Sequence, residues 1–310
     1  MSSLNTNVAA MTALQTLNKT NKDMLVTQNR ISTGLRVKDA SDNAAYWSIA
    51  TTMRSDNMAV STVQDALGLG AATADVTVTA MNSAIETVSK IKAKLVAARA
   101  PGLDRGKIQS EISALQTELR STAESAVFSG ENWLMTDSTG IISKTIVASY
   151  SRDSTGEITI GKIEVNVGPT GTMLFDTTTS GTLQGVLDKD RTTTAGTTYT
   201  AATLDISTIT DDTADLADLE DMIRGVDDAL SSMTDAATVL GAARSRINLQ
   251  KDFVSKLIQS IDTGIGQLVD AEMNEESTRL QALQVRQQLG VQALGIANQS
   301  AQQILQLFQG

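Results

Sequence analysis

Residues 14–35 read LQTLNKTNKDMLVTQNRISTGL, and their spacing decides the fold. Leu14, Leu17, Met24, Ile31 and Leu35 recur in steps of three and four, with Asn21 and Gln28 in the polar gaps. Leu4, Val8 and Met11 extend the apolar set upstream. The far end of the chain repeats the pattern through Leu280, Leu283, Leu294, Ala297, Ala301, Ile304 and Phe308. A heptad run is a narrow apolar seam that one helix cannot bury alone. Seams at both termini therefore predict that the ends pair with each other or with copies of the chain. That pattern fits an assembly protein better than an enzyme. Asn21, Gln28 and Gln287 lie at seam positions, either as solvated sites or as polar groups that penalise misaligned pairing.

Composition narrows the reading. The 310 residues leave room for about two domains. Hydrophobic residues make up 41% but aromatics only 3%, so packing must rely on Ala, Leu, Ile, Val and Met, which suits thin helix-on-helix contacts. The few aromatics, Tyr46, Trp47 and Trp133 among them, are expected in the helical core or at its junction with the central insert. A net charge of −10 and a pI near 4.6 argue against nucleic acid as a partner. With no cysteine and no histidine, disulfides, thiolate sites, an imidazole base, a Ser-His-Asp triad and an HExxH zinc site are all excluded. No cofactor and no metal is expected. Residues 1–7 lack the basic and apolar regions of a cleaved signal peptide, and no window suits a membrane-inserted helix. The expectation is a soluble chain, exported, if at all, by another route.

The helical signal continues inward. One helix is predicted over about 4–35, ending at Gly34, followed by a polar connector with Ser41 and Asp42 as helix-capping candidates. A second spans about 43–99 along Val60, Val63, Leu67, Ala74, Met81, Ile85, Val88 and Leu95, although Gly68 and Gly70 each weaken it by about 1 kcal/mol. After Pro101-Gly102 a shorter helix carries Ile108, Ile112, Leu115 and Leu119 and stops near Phe128-Ser129-Gly130. Residues 137–210 turn Thr-, Ser- and Gly-rich. Strand alternation appears at 157–160 and 163–167, with a phase shift at Gly161-Lys162 that reads as a bulge, and more weakly at 141–149 and 197–205. From Asp211 or Asp212 a seam runs through Leu216, Leu219, Ile223, Val226 and onward to Leu268, a helix approaching roughly 80 Å. The acids Asp211, Asp212, Asp215, Asp218, Glu220 and Asp221 lack EF-hand spacing and read as first-turn complements to the helix dipole. A connector at 270–276 precedes the last helix.

The fold class is mainly α with a β-rich insert: a long antiparallel helical rod, coiled-coil-like, with the terminal helices paired and a small central β domain. The expected segments are 1–40 and 271–310 as terminal helices, 41–136 and 211–270 as the two halves of the rod, and 137–210 as the β-rich outer domain.

Three stretches carry a family resemblance. Residues 29–45, NRISTGLRVKDASDNAA, residues 128–134, FSGENWL, and residues 284–308, with QALGIANQ at 292–299 and ILQLF at 304–308, are similar in order and placement to the signatures of bacterial flagellin. Residues 270–277, DAEMNEES, resemble the rhizobial and other alphaproteobacterial type. The resemblance implies a secreted structural subunit of the extracellular flagellar filament, built with copies of itself and related flagellins for swimming motility. It further implies type III export in unfolded form, an export chaperone, filament cap and junction proteins as partners, and terminal helices that order only on assembly. Thin seams support that last point, since they give little burial against the entropy of ordering. A hook–filament junction protein, or a secreted adhesin-like module on the central domain, are the alternatives. The metalloprotease that some flagellins carry has no histidine to form its zinc site here.

Two segments overlap stretches that host immune receptors sense in flagellins. One contains Arg30, Thr33, Gly34, Arg36 and Asp42, with departures at Lys38, Ser41, Asn43, Tyr46 and Trp47. The other contains Lys90, Lys92 and Leu95, with Ala93 and Lys94 replacing the usual acid and inverting the charge. Weak recognition is expected for both.

Overall fold

A computed structural model describes residues 7–140, 142–153, 155–178 and 182–309, the last helix by its backbone alone at 301 and 304–309. Five helices account for most of the described chain, with four two-stranded sheets between the third and fourth. Two compact units result: 1–58 with 259–310, and 59–258.

The first unit is built on α1 (Val8–Thr33) and α5 (Met273–Gln309), with the start of α2 (Ala44–Ala98) and the end of α4 (Thr213–Val269). Asn7 caps α1 by accepting from the Ala10 amide at 3.0 Å. Gly34 ends the helix in the left-handed region at φ 71°, where its own amide still reaches the Arg30 carbonyl at 2.8 Å. The connectors on either side then lock together. The Arg36 amide donates to the Val269 carbonyl at 2.7 Å, the Ala271 amide donates to the Gly34 carbonyl at 2.9 Å, and Leu35 bridges Asp270. A small core of Val37, Ala50, Ile265 and Val269 closes beneath this join. The cap of α2 is Asn43, not Ser41 or Asp42. Asn43 Oδ1 accepts from the Tyr46 amide, whereas Asp42 folds back on the Lys38 and Asp39 amides and Ser41 bonds Asp39. The connector before α5 is shorter than expected, because α5 already begins at Met273.

In the second unit α2, α3 (Arg105–Ser125) and α4 share one core, which includes Leu67, Met81, Ile91, Leu95, Ile112, Leu119, Leu219, Met233 and Leu240. Helices α2 and α4 run antiparallel, as Lys92 meets Asp227 at 2.5 Å and Asp75 meets Arg244 seventeen positions further along. Buried Arg105 is satisfied at both ends, by the Ala98 carbonyl at 3.0 Å and Asp211 at 2.6 Å.

The central insert holds less strand than its threonine content predicts. β1 (Val127–Phe128) and β2 (Glu131–Asn132) form a tight hairpin whose two loop residues, Ser129 and Gly130, both have positive φ. β3 (Met135–Thr136) pairs in parallel with β6 (Phe175–Asp176), and β7 (Arg191–Thr192) antiparallel with β8 (Thr198–Tyr199). Among the described residues only β4 (Ser143–Arg152) and β5 (Ile158–Asn166) make a long ladder. Elsewhere threonine hydroxyls bond nearby carboxylates and fix turns, as Thr178 does with Asp176 at 2.6 Å and Thr194 with Asp221 at 2.6 Å. The phase shift at Gly161-Lys162 is not a bulge in β5. The extra residue is Ala148 on β4, directly opposite. β5 continues through this point, so Ile163 and Val165 are buried while Ile158 and Ile160 are exposed. Of the aromatics, Trp133 is buried as expected, but Tyr46 and Trp47 are 42% and 36% exposed and belong to no core.

Candidate functional site

The terminal helices meet antiparallel, with three polar rungs among the described residues. Asn7 Nδ2 donates to the Ala297 carbonyl at 3.0 Å, Gln287 Nε2 to Asn21 Oδ1 at 2.9 Å, and the Arg30 guanidinium to Glu276 Oε1 at 2.9 Å. Asn21 and Gln287 thus pair with each other in the seam, while Gln28 is exposed. Glu276 is 5% exposed and its second oxygen accepts no hydrogen bond. A one-turn slip would strip Arg30 from that carboxylate and leave a buried charge unpaired, so the rungs fix the register.

Between the rungs the contact is thin. Only Thr20 and Thr27 of α1 are fully buried, and among the described side chains of α5 only Glu276 and Leu283. One buried leucine contributes about 1.5–3 kcal/mol. Ordering each backbone residue costs about 1–2 kcal/mol before helix hydrogen bonds and packing offset it. The pair alone is a poor reason for two helices of 26 and 37 residues to stay folded.

The opposite faces explain the shortfall. On α1, Val8, Met11, Leu14, Leu25 and Val26 are 48–63% exposed. On α5, Val285, Leu289 and Ile296 are 55–64% exposed, at heptad steps completed by Gln292. Met11, Asn18 and Leu25 fall on a second heptad, which Leu14 adjoins. Each terminal helix is therefore two-faced, one seam covered by its partner and a second left to solvent. An apolar heptad seam without a cover is an association surface.

The seam residues read from the sequence divide between these faces. Leu17, Met24, Ile31, Leu35, Leu280, Leu283, Leu294 and Ala297 are buried or half-buried in the unit, whereas Val8, Met11 and Leu14 lie on the uncovered face. Leu4 and the side chains of Ala301, Ile304 and Phe308 lie outside the described residues. Leu25, Val26, Val285, Leu289 and Ile296 were missed, because beyond Leu14 on α1, and all along α5, only the covered register was followed.

The receptor-like segments are tied into the fold. Thr33 Oγ1 donates to the Asn29 carbonyl at 2.8 Å, Gly34 holds the turn, and the Arg36 guanidinium caps α4 through the Leu268 carbonyl at 3.0 Å. Lys90 pairs with Glu86 at 2.9 Å and Lys92 with Asp227. Leu95 is fully buried in the helical core and is not a surface residue, whereas Lys90, Ala93 and Val96 beside it are exposed and Lys92 and Lys94 half-buried.

The acids at the start of α4 do more than complement its dipole. Asp215 accepts from the Thr210 amide and hydroxyl at 2.7 and 2.5 Å, Asp221 from the Thr194 amide and hydroxyl at 2.8 and 2.6 Å, and Asp218 from the Ala195 amide at 3.2 Å. Hydrogen bonds from Thr210 and Thr194 hold the Asp215 and Asp221 carboxyls below their ordinary value, as the Arg105 guanidinium does for Asp211. These carboxylates fasten the insert to the helix. Among the described residues no group of three or more metal-binding side chains converges, and no helix is long and apolar enough to cross a membrane.

Comparison with known proteins agrees with this arrangement at both ends of the chain. The family model for the bacterial flagellin N-terminal helical region matches residues 4–139, and that for the C-terminal helical region matches residues 223–308. Flagellin C of Rhizobium meliloti (strain 1021) is 48% identical over 322 residues and spans the whole of both chains. Flagellin A of the same strain is 44% identical across 99% of this chain and all of its own length. A flagellin of Brucella melitensis biotype 1 is 46% identical over the full length of both.

Proposed function

This chain belongs to the bacterial flagellin family, and from that premise we infer that its two uncovered seams are the surfaces by which copies assemble. The protein is a structural subunit of the extracellular flagellar filament, serving motility, and is not an enzyme. The observation that carries the assembly reading is the mismatch on α1 and α5: scant burial between them, and a second apolar heptad facing away on each. A filament supplies the missing cover.

The finer assignments are ours. Val8, Met11 and Leu14, extended by Leu25, Val26, Val285, Leu289 and Ile296, pack against other copies. Leu17, Met24, Ile31, Leu35, Leu280, Leu283, Leu294 and Ala297 serve the pair inside one copy. Segments 1–40 and 271–310 form the filament core, 41–136 and 211–270 the helical shell, and 137–210 the outer domain. The terminal pair gains its full order only on assembly. The unfolded chain leaves the cell through the flagellar export apparatus, accompanied by an export chaperone and assembled beneath cap and junction proteins. Host receptors recognise it weakly, since Lys38, Ser41, Asn43, Tyr46 and Trp47 depart from the residues usual in the first sensed segment, and Ala93 and Lys94 remove the acid and invert the charge in the second. Reporter-cell activation by purified monomer measures this, and a strong response would overturn it.

The test of assembly is direct. Purified chain, concentrated and seeded, is expected to form long filaments under the electron microscope. A chain that stays monomeric at every concentration, with both terminal helices fully protected from protease, would refute the role assigned to the seams.

A further inference from the structure

In the second unit the insert lies tight against α4 at one end and parts from it further along. At the closed end the Tyr199 hydroxyl donates to the Asp221 carbonyl at 2.7 Å. Gly225 has no room for a side chain there, since an added Cβ would clash with Tyr199 and sit 2.8 Å from Cδ of Arg191. Beyond it a cleft of about 900 Å³ opens between α4 and the segments 166–171 and 182–191. That is the size of a small-ligand site. Its insert wall is fixed in advance: the Gln184 amide donates to Asp176 at 3.0 Å, the Val186 amide to the Met173 carbonyl at 3.1 Å, and the Lys189 amide to the Gly185 carbonyl at 2.8 Å. The helix wall is a single stripe, Asp228, Ser232, Asp235 and Val239, at steps of four, three and four. At 1.5 Å per residue it is about 16 Å long.

The charges in this cleft are not matched to each other. Elsewhere in the unit opposite charges on different elements pair, as Arg99 does with Glu220 at 3.5 Å and Arg105 with Asp211 at 2.6 Å. Here Lys189 and Arg191 stand on one wall and Asp228 and Asp235 on the other, and among the described residues none of the four makes an ion pair. Arg191 is half-buried. Burial disfavours its charge, and Asp228 acts on it from outside ion-pair range. Its guanidinium donates only to the Lys189 and Val186 carbonyls, at 3.3 and 3.2 Å. Ser232 already donates to the Asp228 carbonyl at 2.9 Å, so its oxygen is left to accept. A carboxylate only accepts and a guanidinium only donates. A ligand that satisfies both walls therefore brings several hydroxyl donors along the stripe and one anionic group to the cations. Among the described residues no aromatic lines the cleft to stack a base, whereas Val186 and Val239, the latter 52% exposed, offer aliphatic surface. A saccharide has that make-up, with hydroxyls around its edge and C–H groups on its faces. An amino acid carries both signs but is too short for the stripe. We propose that the cleft binds an oligosaccharide bearing a single uronic-acid ring, with its carboxylate on Arg191 and Lys189 and the hydroxyls of its neutral rings on Asp228, Ser232 and Asp235. A chain charged on every ring fits poorly, because its further carboxylates face those aspartates. The proposal goes beyond the filament reading and does not depend on it, since every residue of the cleft belongs to the second unit.

Calorimetric titration of the full-length chain tests this, with the protein kept dilute and monomeric so that the result is independent of whether it polymerises. Three probes are compared: xylotriose capped with glucuronic acid, plain xylotriose, and trigalacturonate. The capped probe is expected to bind about tenfold more tightly than plain xylotriose, the difference made by one charge-assisted contact. Trigalacturonate is expected to bind more weakly than the capped probe. Lys189→Ala and Asp235→Ala separate the two walls, and both side chains are exposed and unbonded within the fold. Lys189→Ala is expected to reduce the preference for the capped probe over the plain one roughly threefold or more. Asp235→Ala is expected to weaken both by a similar factor and leave the preference standing. Arg191→Gln is expected to erase the preference, with circular dichroism confirming that the monomer stays folded. Absence of binding by all three probes would overturn the proposal. Equal affinity for capped and plain xylotriose, tightest binding by trigalacturonate, or indifference to both Lys189→Ala and Asp235→Ala would each do the same.

Discussion

Gly68 and Gly70 are two positions apart on α2 and do opposite things. An added Cβ at Gly68 meets nothing within 4 Å, so the glycine there costs helix stability with no packing return. At Gly70 the same atom would sit 2.7 Å from both Cδ1 and Cγ2 of Ile146, the side chain by which β4 docks on the helix. Ile146 cannot swing clear, because its branched Cγ2 is one of the clashing atoms and the residue is 93% buried by difference from its 7% exposure. Gly68→Ala is expected to stabilise the second unit by about 0.5–1 kcal/mol. Gly70→Ala is expected to destabilise it by about 1–3 kcal/mol through the overpacked strand. Denaturant melts of dilute monomer check both, and equal effects of the two would show that Ile146 does not dock as described. Read from sequence alone, both glycines counted against the helix. Which one was needed was not legible, since the answer lies in a strand seventy-six positions away.

At the scale of elements, the insert is held by carboxylates, and this sets its response to acid. Burial would push the Asp176 carboxyl up, but donors from Ser138, Thr178 and Gln184 prevail and hold it far below its ordinary 3.8. Its neighbour Asp188 is raised by burial, against the pull of the Asp176 amide and the Arg120 charge. The signs oppose. Asp176 contributes stability that is fully present above its unfolded value and lost as pH falls below about 4. Asp188, harder to ionise when folded, costs stability at neutral pH and recovers it as pH falls through its raised value. Asp188→Asn keeps an oxygen to accept from the Asp176 amide and removes the buried charge. It is expected to raise the neutral-pH melting temperature by about 2–4 °C and to steepen the loss of stability in acid. Asp176→Asn strands several donors, is expected to cost about 1–3 kcal/mol at neutral pH, and should flatten the acid limb. Parallel shifts of both variants at every pH would contradict this assignment. None of it was visible in the sequence, where the Thr-rich insert read as strand. β-propensity and turn-forming hydroxyls draw on the same residue type, and only the carboxylate at the right distance tells them apart. The helices were legible because their periodicity persists for dozens of residues, and their ends shifted by only a few positions.

At the scale of the whole molecule, the proposed role of the two distinct uncovered seams implies that assembly is directional. If α1 and α5 presented the same surface, copies would close into pairs; two unlike faces give a heterologous contact, which runs on as a filament when the rotation between copies closes no ring. A subunit damaged on one face keeps the other. Leu14→Asp places a charge at the uncovered side of α1, where the native side chain is 50% exposed, and leaves Leu17, Met24 and Ile31 of the covered seam unchanged. Such a subunit still docks through α5 and then offers its neighbour a charge in an apolar seam, a site that the next copy cannot cover without desolvating a carboxylate. Mixed with wild-type chain, it is expected to act well below equal ratio, shortening filaments as its fraction rises. Leu289→Asp is expected to do the same from the other face. The double variant Leu14→Asp/Leu289→Asp has no intact face and is expected to be inert, lowering filament mass only by dilution. Filament length distributions from electron microscopy across mixing ratios separate these outcomes. If the double variant poisons growth as strongly as either single one, the two seams are not independent contacts and the directional scheme is wrong.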